Sequence, residues 1–181
     1  MIFGNYKNRV DLVDAKEFSF VRQPVFLLIL MAFAMPMAFS VWTALLNNFV
    51  VEMAGFTGVE IGWLHSIREI PGLLAVGVIF VLIFVREQLL ALLSLILLGI
   101  ASGLTAFFPQ FGGIIILTFL ASIGFHYFEA ANQSLQLQWI DKKVAPQTLG
   151  WISAVGSFSS LIAYGVLVIT WKAFNLSFGF V

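Results

Sequence analysis

Residues 113–139 read GIIILTFLASIGFHYFEAANQSLQLQW, an apolar run that carries one acid, Glu129, and one histidine, His126. At 1.5 Å per residue it is long enough to cross a ~30 Å hydrocarbon layer, and a helix apolar over most of its surface lies either inside a large protein or inside a bilayer. His126, Glu129, Asn132, Gln133 and Gln136 recur at spacings of three, four and seven, which places them along one continuous helical stripe. A polar stripe on a spanning helix has to meet water or another helix, because lipid leaves its hydrogen bonds unmade.

The rest of the chain agrees with this reading. Of its 181 residues 61% are hydrophobic and 10% charged, with a mean hydropathy of +1.03. Soluble domains run near 45 to 50% apolar and ~25% charged. Further apolar segments stand at 25–50, 59–85, 88–108 and 147–171, which with 113–139 gives five expected spans in an all-α integral membrane protein. The links between them are short, so sequential spans are expected to run antiparallel. Residues 1–24 are mixed and polar, with Asp11, Asp14, Lys16 and Glu17, and lack the basic-then-apolar layout of a cleaved signal.

Basic residues flanking spans are retained in the cytoplasm. Lys7, Arg9, Lys16, Arg22, Arg86, Lys142 and Lys143 all fall on the N-terminal side of the expected topology, against Lys172 alone on the other. The N-terminus and the 1–24 segment are therefore expected to be cytoplasmic. Thr57 and Glu60, at the outer mouth of the second span, have the spacing of a capping box.

Several chemistries are excluded or weakly supported. A net charge of zero and the lack of a basic tract argue against a nucleic-acid partner, and no cysteine is present for disulfides, thiolate metal sites or cysteine catalysis. No G-x-x-x-x-G-K loop appears, so direct nucleotide coupling is not expected. Ser157 is a poor protease nucleophile, since the fifth span has no histidine. His126 and Glu129 have the spacing of half a carboxylate-histidine metal site, but no second such pair exists. No metal or other cofactor is expected, and an enzymatic role is not.

Small residues mark where helices approach closely. Gly99 and Gly103 on the third span form G-x-x-x-G, and Gly156 and Ser160 on the fifth repeat that spacing beside Ser153 and Ser157. Both sets are expected to be packing faces. An internal similarity also appears: Ile61 to Ile67, IGWLHSI, resembles Leu149 to Val155, LGWISAV, at an offset of 88 residues. The first copy lies at the outer face and the second at the cytoplasmic face, the arrangement of an inverted three-plus-three repeat.

On the order of spans, the polar stripe of the fourth and this repeat, residues 20–181 resemble the N-terminal six-helix half of the major facilitator superfamily. The loop after the second span carries only Arg86, Glu87 and Gln88, where the family typically has a glycine, an acid and several basic residues. Arg86 and Glu87 are the expected remnant of that gating loop. The resemblance implies a secondary transporter that moves a small solute, with or without a coupled proton, by alternating access in a bacterial inner membrane. It also implies a sixth helix and a C-terminal half. Residues 173–181 are too short to cross, so the chain is expected to be a five-helix fragment, unable to transport alone, ending in a truncated external loop or the start of helix six. A small membrane scaffold, with polar stripes that bind neighbouring helices, is the alternative.

Ionisable groups within spans are the functional candidates. His65, Arg68 and Glu69 share one face of the second span with Gly72, and Pro71 is expected to bend the helix there. Trp42, Thr43 and Asn47, with Ser40, add a milder stripe on the first. Arg68 lies about 12 to 16 Å and His126 about 20 Å from the outer ends, near the midplane. The expected pathway is therefore lined by Trp42, Thr43, Asn47, His65, Arg68, Glu69, His126, Glu129, Asn132, Gln133 and Gln136. In it Arg68 meets an anionic solute group or pairs with Glu129, and Glu69, Glu129 or His126 carries the proton. Ion pairs that merely hold the second and fourth spans together would need the same residues.

Overall fold

The computed structural model describes residues 24–173. What was expected of residues 1–23, including four of the basic residues that set the topology, and of residues 174–181 lies outside that range. All the regular structure described is helical. We number the α-helices α1 (Pro24–Glu52), α2 (Gly58–Leu73), α3 (Val78–Leu82), α4 (Glu87–Leu104), α5 (Phe111–Trp139) and α6 (Ala145–Ala173).

Among the described residues five units are long and apolar enough to cross a membrane: α1, the run Gly58–Leu82 formed by α2 and α3, the run Glu87–Phe107 that extends α4, α5 and α6. The expected ends are met to within a few residues. The chain is thus an integral membrane protein by length and composition. Its surface agrees, for Leu73, Phe84 and Leu137 stand more than four-fifths exposed, where a lipid contact serves and a water contact costs.

Local chemistry sets where the helices begin, break and end. α1 closes into a turn at Gly55, whose φ of 65° is the left-handed conformation that glycine adopts without a Cβ penalty. Thr57 then caps α2 as expected: its backbone N–H donates to Glu60 Oε2 at 2.7 Å, and the Glu60 N–H approaches Thr57 Oγ1 at 3.5 Å. Pro71 cannot donate to the carbonyl four residues back. Three residues later the α-helix gives way to a tighter 3₁₀ turn, Leu74–Gly77, before α3 resumes the crossing. The expected bend is therefore a change of helix type, just beyond the proline.

Three helix pairs make the bundle. α4 and α5, neighbours in the chain, approach most closely: a Cβ added to Gly124 would lie 2.7 Å from the Ser94 carbonyl oxygen and 2.8 Å from the Leu98 nitrogen. α2 lies against α5 with the Ser122 hydroxyl donating to the Arg68 carbonyl, and α6 lies against α1 with the Ser159 hydroxyl donating to the Phe33 carbonyl. Leu64 and Pro71 are the buried residues of α2, and Ile152, Ser159 and Ala163 those of α6.

The small-residue faces divide. Gly156 packs as expected, since a Cβ there would meet the Ala32 carbonyl oxygen at 3.3 Å and Pro36 Cγ at 3.4 Å. Gly99 and Gly103 do not: nothing lies within 4 Å of either Cβ position. They line an apolar groove of about 690 Å³ between α1 and α4, with Trp42, Leu46 and Trp171 among its walls. The close approach of α4 falls on its other side, at Ser94 and Leu98, where α5 supplies the glycine.

Candidate functional site

Of the polar residues of the three stripes, Trp42, Arg68, Glu69 and His126 line one cavity and Glu129, Asn132 and Gln136 another, and the two share no lining residue. The first is small, about 60 Å³, room for about two waters. Phe39 and Trp42 from α1, Arg68 and Glu69 from α2, and Ser122, Phe125 and His126 from α5 enclose it. The constant register of α2 on α5 brings them together. Ser122 meets Arg68, and one turn further along both helices His126 meets Gly72, where a Cβ would come within 2.9 Å of imidazole Cε1. Glycine at 72 is what lets the imidazole lie against the α2 backbone. Phe125 presents its ring at 79° to His126, with centroids 5.0 Å apart, and stacks on Phe39 at 4.3 Å.

Within this cavity Arg68 pairs with its chain neighbour: Nε and Nη2 donate to Glu69 Oε1 at 3.1 and 3.0 Å. The Glu69 side chain is 64% exposed and that of Arg68 28%. Trp42 is buried, and its indole Nε1–H has no hydrogen-bond partner. The pairing of Arg68 with Glu129 is therefore corrected. Ser122 marks the level of Arg68 on α5, and Glu129 lies seven residues on, about 10 Å along the helix axis.

The second cavity, about 380 Å³, runs between α1, α5 and α6. Glu129, Asn132 and Gln136 open into it from α5, across from Ser153, Ser157 and Ser160 of α6. Gln133 is exposed and lines neither cavity. A single interior space holding Arg68, Glu69, His126 and Glu129 is thus not formed. The polar stripe of α5 spans enough of the helix circumference for its two edges to face different neighbours.

No family model, curated protein or solved structure matches the chain at a significant level.

The remaining candidates lie apart from both cavities. Thr43 turns its hydroxyl back onto the Phe39 and Ser40 carbonyls of its own helix, at 2.9 and 3.2 Å. Asn47 is exposed, His65 is half-buried, and neither lines either cavity. At the other end of the bundle Glu87 begins α4 and accepts from Gln138 Nε2 at 2.9 Å, tying the Arg86-Glu87 link to the end of α5. Arg86 is the N-cap residue of α4, without a side-chain cap bond. Sequence reading missed Phe39, Ser122, Phe125 and Gln138. The first three look like ordinary core residues, and only the α2-α5 register brings Ser122 and Phe125 to Arg68.

Proposed function

We propose that the chain is the N-terminal part of a secondary transporter of the facilitator type, moving a small solute by alternating access. One observation carries this. Glu69 stands near the middle of a spanning helix with its side chain 64% exposed, beside an arginine that only partly neutralises it. Charge at that depth in lipid costs several kcal/mol. Water in a pathway, or a second protein half facing it, removes that cost, and a facilitator offers both.

The helix pairing supports an inverted three-plus-three repeat. Exchanging the first span with the fourth and the second with the fifth turns the α2-α5 pair into the α6-α1 pair, and both pairs are packed. Buried Leu64 and Pro71 stand at the 88-residue offset from buried Ile152 and Ser159. In this reading the N-terminus is cytoplasmic in a bacterial inner membrane, and the missing partner is a C-terminal half. Arg68 and Glu69 meet the solute, and His126, Glu69 or Glu129 carries a coupled proton.

The chain has no cysteine, which makes single-cysteine labelling direct. In the full-length protein, with any cysteine outside this chain replaced, cysteine placed at Glu69 should react with a membrane-impermeant thiol reagent added from either side in turn, as a pathway opening alternately requires. Labelling from neither side, with normal membrane insertion, would overturn the proposal.

The alternative, a non-transporting scaffold, draws on the open groove of about 690 Å³ beside Gly99 and Gly103, which has the shape of a helix-docking face. In that case crosslinks from Gly103→Cys should reach another chain, while Glu69→Cys stays unlabelled.

A further inference from the structure

The first and fourth spans, paired by the repeat, differ in what packs on them. α5 is held on opposite faces: Ser122 meets the α2 backbone, and Gly124, two residues on and so about 200° round the helix, meets the α4 backbone. α1 carries the first of these contacts, since Ala32 and Pro36 meet Gly156 of α6. Its opposite face does not carry the second. Ala34 and Ala38, each two residues on from that contact, are exposed and line the apolar groove of about 690 Å³. The groove follows α1 from Phe33 to Phe49, about 24 Å at 1.5 Å per residue. Its hydroxyls are spent within their own helix, Ser102 donating to the Leu98 carbonyl at 2.7 Å and Thr105 to the Ala101 carbonyl at 3.0 Å. The walls therefore suit an apolar guest that brings no polar group to be satisfied.

We infer that this groove seats a further transmembrane helix, the span that follows α6 in the same polypeptide, packed on α1 as α4 packs on α5. That helix runs antiparallel to α1, with its backbone over Ala34 and Ala38 and its flank beside Gly103 of α4. Small residues on both walls admit a helix backbone at close range, which is how spans associate where lipid supplies no hydrophobic drive. Position argues for the same polypeptide. Trp171, two residues before the end of α6, is one of the groove's walls, so α6 ends beside it. A short link then brings the next span to this face antiparallel to α6, without crossing over another connection. The repeat gives the same result, for the partner that α1 lacks is the counterpart of α4.

The inference rests on the transport reading only in taking the polypeptide to continue beyond residue 181. Helix docking is measured without translocation, so its failure leaves the two-sided labelling of Glu69→Cys untouched, and failure of that labelling leaves the docking untouched.

The test is photocrosslinking of the full-length protein in lipid nanodiscs, with Met37 or Leu45 replaced by an aliphatic amino acid that carries a diazirine, and the products mapped by mass spectrometry. Both residues line the groove, and a probe of similar size and polarity leaves the walls close to their native shape. Leu93, half-exposed on α4 and outside the groove, takes the same probe as the control. From Met37 and Leu45 the main protein product should be an intramolecular link to the apolar span next after α6, and that link should be lost from Leu93. Circular dichroism of each variant controls for folding. The inference is overturned if folded Met37 and Leu45 variants link only to lipid, to a separate chain or to a different span, if Leu93 gives the same link, or if the gene closes its reading frame at Val181.

Discussion

His126 rests on Gly72: a Cβ built on that glycine would lie 2.9 Å from the imidazole Cε1 and 3.2 Å from Nε2. Gly72→Ala therefore has to push the ring off α2, at a cost of about 1 to 3 kcal/mol by analogy with overpacked cores. The cost should vanish when His126→Ala is combined with it, as a double-mutant cycle in denaturant-titrated micelles would read. Additive effects of the two substitutions would mean that the ring does not stand where it is described.

The glycines of α4 and α5 make a paired prediction. Gly124→Ala brings a methyl group against backbone atoms at 2.7 and 2.8 Å, which cannot swing aside as a side chain can. A loss of about 2 kcal/mol or more is expected. Gly99→Ala, with nothing within 4 Å, should be neutral or slightly stabilising through helix propensity. Thermal unfolding of both variants side by side checks this, and the reverse ranking would exchange the packed and open faces of the third span.

Ser122 and Ser159 each join two helices by one hydroxyl bond to a carbonyl. Hydrogen bonds within membrane bundles average about 0.6 kcal/mol and reach about 1.7. Ser122→Ala and Ser159→Ala should each fall in that range. The two losses should add, because the serines serve different helix pairs.

Topology is checked by reporter fusions. Those at Arg86 and Asp141 should score cytoplasmic and those at Gly55 and Phe111 external. The inverted pattern would remove the orientation and the sidedness of the pathway with it.

The five spans were legible because apolar length is a property of the chain alone, and the ends of α2 followed from Thr57, Glu60 and Pro71. The grouping of the polar residues was not. Helical periodicity places His126 and Glu129 on one stripe, but it does not say that α2 meets one edge of that stripe while α1 and α6 meet the other. Ser122 decided that register. It lies in an apolar stretch, and its partner is a backbone carbonyl, which sequence does not distinguish from any other. The G-x-x-x-G of the third span misled for a related reason: close approach needs one small residue opposite a backbone, and Gly124 of α5 supplied it. Glu129 and Arg68, opposite in sign and both within spans, invited a pairing that their difference in depth forbids.

The bond from Ser159 to Phe33 joins residues 126 positions apart, whereas Gly124 meets a helix made just before it. Synthesis at about 5 to 20 residues per second separates the emergence of those two bonded residues by on the order of ten seconds. The α4-α5 hairpin can close as it leaves the ribosome, but α1 waits in the bilayer until its partner arrives. During that interval the face of α1 that α6 later covers is open to lipid or to an insertion factor. The order of assembly is thus opposite to the order of synthesis for the first span, and a chain stalled before α6 should present that face to whatever chaperones membrane proteins.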